Sequence, residues 1–91
     1  MKKEPFQKEI AMRANQEAEE REANRKRISR FFFGSDSESW RVIVGHYKAL
    51  NTHLKTGYPW ERAAVSDTLG SMDPRDERIV LAEEQQLEKL E

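Results

Sequence analysis

Residues 40–54, WRVIVGHYKALNTHL, decide the fold class of this 91-residue chain. Their large apolar side chains recur at steps of one, three or four residues, which is the pattern of one face of an α-helix. The members of this face are Trp40, Ile43, Val44, Tyr47, Leu50 and Leu54. Gly57 follows at a position typical of a helix end. The stretch therefore predicts an amphipathic helix that buries one side.

The capping signals around this helix predict where its neighbours begin. Ser35 and Glu38 have the spacing of a capping box ahead of the apolar run, so we expect the helix to be capped at Ser35. Pro59 suits the first turn of a third helix, and Asp73 with Pro74 suits the start of a fourth. The apolar side predicted for the third helix is Trp60, Ala63, Ala64, Val65 and Leu69. The stripe predicted for the fourth is Ile79, Ala82, Leu87 and Leu90, backed by Val80 and Leu81.

The chain before residue 31 has a different composition. Residues 1–30 contain nine Lys and Arg against six Glu, whereas residues 31–91 contain seven against eleven acidic residues. Glutamate precedes a basic residue by four positions in several places, among them Glu17–Arg21 and Glu22–Lys26, and such pairs favour a helix. We therefore predict an all-α protein with a charged helical arm at 1–30 and a small three-helix body at 31–91.

Composition excludes several classes of protein. The chain contains no cysteine, so it can form neither a disulfide nor a thiolate zinc site. Its strongly apolar runs reach only three residues, which is too short for a membrane span, and we expect a cytoplasmic protein. The glycines are scattered and no serine lies in a nucleophile elbow, so we expect neither an enzyme nor a bound cofactor.

Two histidines and one glycine in the best-defined helix have structural interpretations. His46 and His53 lie seven residues apart, whereas metal-binding pairs on one helix are usually three or four apart, so we expect no metal site. Gly45 costs helix propensity, and either it allows close approach of another backbone, which we favour, or the cost is tolerated. We expect the acidic residues of the fourth helix, including Glu83, Glu84 and Glu88, to lie on exposed faces.

The junction of arm and body carries the candidate contact residues. A basic cluster runs directly into three phenylalanines, and aromatic side chains are enriched at the cores of protein interfaces. We expect the apolar anchors to be Ile10, Phe31, Phe32 and Phe33. We expect the cations that steer toward an acidic partner to be Arg25, Lys26, Arg27 and Arg30. The same features fit a compact hinge, with the cations folded back onto the acidic body.

The leading hypothesis is a small non-catalytic helical protein that acts by protein–protein interaction. It would be an adaptor or an inhibitor or regulator of a larger machine, and a homodimer, in the style of bacterial or phage accessory proteins. One alternative is a nucleic-acid-binding adaptor in which Arg25, Lys26, Arg27 and Arg30 contact phosphates. A second alternative is a structural subunit of a larger assembly. The sequence does not identify the partner.

Overall fold

A computed structural model describes the backbone of residues 3–90 and the side chains of residues 11–90. This part of the chain is all-helical, with four helices and no strand, as the sequence predicts. The helices are α1 (Lys3–Phe33), α2 (Trp40–Thr56), α3 (Pro59–Gly70) and α4 (Pro74–Leu90). The molecule is elongated, with principal extents of 65 × 26 × 21 Å. Its length comes from α1, since 31 residues of helix span about 46 Å.

The central helix is α2, and it packs against each of the other three. Its predicted apolar face is confirmed at Trp40, Ile43, Val44 and Tyr47, which are all buried. Burial also raises the pKa of the Tyr47 hydroxyl above its ordinary value. The face becomes only half-buried at its far end, so the densest part of the core lies near the start of α2.

Helix α1 does not stop at residue 30. It continues through Phe33 and ends at Gly34, which adopts a left-handed conformation with φ of 71° and donates its N–H to the carbonyl of Arg30 at 2.9 Å. Such a backbone favours glycine because it lacks a Cβ. Ile28, which belongs to the charged part of the sequence, is fully buried in the core. The end of α1 is therefore part of the body's packing.

The loop after Gly34 folds back along α1. Ser29 and Arg25 contact its backbone near residues 35–38, while Phe33 lies beside His46, which is farther along α2. Neighbouring residues therefore advance in the same direction along the two helices. Consecutive helices with a short connection usually run antiparallel. Here the end of α1 and the start of α2 run parallel instead.

The cap of α2 differs from the expectation. Ser39 is the N-cap, and its hydroxyl accepts a hydrogen bond from the Val42 N–H at 3.4 Å. The predicted cap, Ser35, lies four residues earlier, where its carbonyl accepts a hydrogen bond from the Ser29 hydroxyl. The caps predicted elsewhere are confirmed: α2 ends at Gly57, and Asp73 accepts a hydrogen bond from the Arg75 N–H at 2.9 Å before α4.

The buried sides of α3 and α4 also differ from the expectation. In α3 only Val65 is buried, and the other residues of its predicted apolar side except Leu69 are exposed. In α4 the buried residues are Val80 and Glu83, whereas Ala82 and Leu90 face solvent. The prediction is correct for Ile79 and Leu87, which are half-buried and pack against the core, and for Val80 behind them. It missed Glu83, because an acidic residue gives no signal of burial.

The expectation of a close backbone approach at Gly45 is wrong. A Cβ built at this position would meet nothing within 4 Å among the described residues. Gly45 borders an open groove between α2 and α4, beside Val44 and Leu87. The glycine is therefore not required by packing within a single chain.

Candidate interaction surfaces

The most specific polar contact joins α1 to α4. The guanidinium of Arg21 donates two hydrogen bonds to the Glu83 carboxylate, each at 2.7 Å. The Glu83 side chain keeps only 11% of its surface exposed, whereas Arg21 keeps 57%. This fork geometry is the strong form of an Arg–carboxylate pair. It raises the pKa of Arg21, chiefly through the hydrogen bond.

A second ion pair makes the same kind of contact farther along α1 and nearer the start of α4. Arg27 donates to the Asp76 carboxylate and also to the side-chain oxygen of Asn24. The hydrogen bond to Asp76 raises the pKa of Arg27. From Arg21 to Arg27 the chain advances along α1, while the partners move backward from Glu83 to Asp76. The two pairs therefore hold α1 and α4 antiparallel.

Two further cations of the basic cluster hold the loop between α1 and α2, residues 34–39, which we call the return loop. Arg25 donates to the backbone carbonyls of Asp36 and Glu38, and to the carboxylate of Glu22. Arg30 donates to the Asp36 carboxylate at 2.9 Å. Glu22 therefore pairs with Arg25 and not with Lys26, the partner that its spacing predicts. The hydrogen bond from Arg25 is the main cause of the lowered pKa of the Glu22 carboxyl.

The buried hydroxyl of Ser29 completes the same junction. It donates to the Ser35 carbonyl and accepts from the Glu38 N–H at 3.2 Å. Ser29 is fully buried, so both contacts form away from water. Sequence reasoning missed Ser29 and Glu83, because a serine in a charged run and a glutamate in an acidic helix give no signal of burial.

The three phenylalanines lie in the last turn of α1. Phe32 and Phe33 are half-buried, and their ring centroids lie 5.2 and 4.9 Å from that of His46. Phe31 keeps 39% of its surface exposed and makes an edge contact with Phe32, at 5.0 Å between centroids. The cluster therefore closes the junction of α1 and α2 and leaves one ring at the surface.

All the predicted contact residues except Ile10 lie near the end of α1, and all of these except Lys26 contact other described residues of the chain. Lys26 is exposed and forms no hydrogen bond or ion pair within the part of the chain that the structure describes. Ile10 lies outside the residues whose side chains are described. From residue 11 through residue 23, every side chain of α1 is exposed.

A different aromatic pair lies at the start of α3. The rings of Tyr58 and Trp60 stack with an interplanar angle of 3° and a centroid distance of 4.8 Å. Their exposed fractions are 63% and 69%, although the sequence predicted Trp60 to be on the buried side. The carboxylate of Glu61 accepts from the Tyr58 N–H at 3.4 Å and fixes the backbone under the pair. This is the largest exposed aromatic surface among residues 11–90.

Neither a metal-binding group, nor a membrane-spanning helix, nor a similar protein indicates what this chain does. Residues 11–90 contain no group of three or more His, Asp or Glu side chains that could hold a metal ion. Among the described helices, none has the length and apolar character needed to span a membrane. No protein-family model, no curated protein and no solved structure matches this chain.

Proposed function

We propose that this chain is a small non-catalytic helical protein that acts by binding another protein, as an adaptor or as a regulator of a larger machine. The observation that carries the proposal is the exposure of residues 11–20 of α1, which we call the projecting segment. An isolated helix of this size is marginal in water, so a partner surface would stabilise it. The partner would pack along this segment.

The end of α1 contributes to the proposed contact in a different way. Phe31 offers an exposed ring in the last turn of the same helix, and aromatic side chains often anchor interfaces. Arg25, Arg27 and Arg30 each already contact a carboxylate of this chain. Their role in the proposal is to hold α1 in place, and Lys26 is an exposed cation of this cluster that faces a partner.

A nucleic-acid adaptor is the alternative reading of the same cluster. It receives less support, because the contacts that Arg25, Arg27 and Arg30 make inside the chain compete with phosphate binding. Binding of generic DNA and RNA across a salt series distinguishes the two. Affinity that falls steeply with salt and disappears in an Arg25→Ala, Lys26→Ala variant would replace the protein-binding proposal with the nucleic-acid one.

Partner capture by the full-length chain tests the proposal directly. Deleting residues 1–30 is not suitable, because it would remove the buried Ile28 and Ser29 from the body. A variant with Arg13→Glu and Gln16→Glu changes the projecting segment alone, where both side chains are exposed, and its added negative charge opposes an acidic partner. We expect it to recover at least tenfold less partner than the native chain, on the order of 1.4 kcal/mol or more.

The matched control carries a similar charge change on the body. Arg78→Glu with Gln86→Glu alters exposed positions of α4 by the same change in charge and should leave partner recovery unchanged. Circular dichroism of both variants shows whether they remain helical. Equal recovery of the same partner by all three proteins would show that α1 is not the recognition element.

A further inference from the structure

The outer face of α3 has no intramolecular partner. Among the described residues α3 packs only on α2, through Val65 and the half-buried Leu69. The opposite face presents Trp60, Ala63, Ala64 and Asp67, and all four are exposed. Their spacing of three, one and three residues places them on one side of the helix.

The order of these residues is self-complementary. Trp60 and Asp67 lie at equal distances in sequence from the midpoint between Ala63 and Ala64. A second α3 that crosses this midpoint in the antiparallel direction would place alanine opposite alanine. It would also place each Trp60 opposite the Asp67 of the other copy. A two-fold interface requires this kind of match, in which one patch serves both copies.

The chemistry of the facing pair is also complementary. The indole N–H of Trp60 is a donor, and the Asp67 carboxylate is an acceptor. Neither side chain makes a hydrogen bond or ion pair with another residue in the described part of the chain. The alanines between them allow two helix axes to approach to about 8 Å, the close end of the usual range.

We propose that the outer face of α3 is a contact between two copies of this chain, arranged antiparallel about the midpoint of Ala63 and Ala64. The stacked Tyr58 flanks each Trp60 and widens the apolar contact. This proposal is independent of α1, so its failure would leave the proposed partner contact untouched. It gives the homodimer expected from the sequence a defined surface.

The small area of the patch favours a weak, reversible contact. Tyr and Trp side chains contribute about 150–250 Å² each when buried, so at the observed exposure the stacked pair supplies about 250 Å² per copy. A standard stable interface buries about 800 Å² per partner. We therefore expect a reversible dimer with a dissociation constant between about 1 micromolar and 1 millimolar.

Sedimentation velocity over a concentration series measures this association. The weight-average sedimentation coefficient should rise between about 10 micromolar and 1 millimolar for the native chain. Ala64→Arg places a long charged side chain at the two-fold contact, and this variant should remain monomeric. Ala82→Arg makes the same change on an exposed position of α4 and should associate like the native chain.

Cysteine cross-linking tests the geometry of the contact. The native chain has no cysteine, so a single Ala64→Cys substitution provides the only thiol. A disulfide requires the two Cα atoms to lie within about 7 Å, which the proposed arrangement favours. Under mild oxidation we expect covalent dimer from Ala64→Cys at least roughly fivefold faster than from Ala82→Cys.

Three results would overturn the proposal. The first is a native chain that stays monomeric throughout the concentration series. The second is a dimer that Ala64→Arg does not weaken, which would place the contact on another surface. The third is equal cross-linking of the two cysteine variants, since random collision alone would account for it.

Discussion

The two parts of α1 have similar densities of charged residues and different environments. Charged residues make up four of the ten positions in the projecting segment, residues 11–20, and six of the thirteen in the docked segment, residues 21–33. Every side chain of the projecting segment is exposed, whereas the docked segment contains the fully buried Ile28 and Ser29. The difference arises from what lies across space, because only the docked segment has α2 and α4 beside it. Charge density alone therefore does not identify a solvated arm.

The largest difference between the segments should appear on truncating an apolar side chain in each. Ile28→Ala removes a fully buried side chain and should lower the free energy of unfolding by about 2–5 kcal/mol. Met12→Ala removes a side chain that is 61% exposed and should change it by less than about 0.5 kcal/mol. Urea denaturation followed by circular dichroism measures both. Similar losses would show that the projecting segment is packed in solution.

The next largest effect concerns the Ser29 hydroxyl. Ser29→Ala leaves the Ser35 carbonyl and the Glu38 N–H without their buried partner, which should cost about 1–3 kcal/mol. Ser66→Ala, on the exposed side of α3, is the control and should be nearly neutral. Thermal unfolding of both variants gives the comparison. A neutral Ser29→Ala would mean that the return loop is not held by α1.

A smaller effect is expected from the ion pair that begins the docked segment. Because Arg21 is largely exposed, the coupling energy with Glu83 should be about 1 kcal/mol, and it should decrease in high salt. A double-mutant cycle with Arg21→Gln and Glu83→Gln measures it. Arg21→Gln should be the more harmful single change, since it leaves a nearly buried carboxylate without its partner. A coupling energy near zero would limit docking to the apolar contacts.

The smallest global effect is expected within the projecting segment itself. Ala18→Gly should weaken the local helix by about 1 kcal/mol, so amide hydrogen exchange nearby should accelerate roughly fivefold. The free energy of global unfolding should hardly change. Ala23→Gly makes the same change in the docked segment and should lower global stability by about 1 kcal/mol. If both variants lowered global stability equally, the two segments would unfold as one unit.

The elements that the sequence predicted correctly are those governed by local chemistry. The buried face of α2, the helix end at Gly57 and the start of α4 at Asp73 follow from residue spacing and capping alone. The errors arise where tertiary contacts override that spacing. Glu83 was expected in solvent because nothing in its own helix signals an arginine 62 residues away. Trp60 was expected in the core because it is large and apolar, although its side chain lies on the outer face of α3.

The sequence predicted which residues form the candidate site but not which groups they contact. The sequence indicated that Arg25, Arg27 and Arg30 would meet acidic groups, and it left open whether these belonged to a partner or to the chain. Their acceptors include backbone carbonyls of Asp36 and Glu38, which no charge pattern reveals. The stacked pair of Tyr58 and Trp60 was missed because Tyr58 precedes α3 and is not part of its apolar repeat.

The return loop also has a kinetic consequence. Ser29 and Arg25 contact loop residues only 6 to 13 positions away, whereas Arg21 and Arg27 reach α4 across 62 and 49 residues. Closing the longer segments costs more chain entropy, and short-range contacts tend to form first. The last turns of α1, the loop and the start of α2 would then form the folding nucleus, with high φ-values at Ser29. Docking of α4 would follow the rate-limiting step, so losing its ion pair would mainly accelerate unfolding.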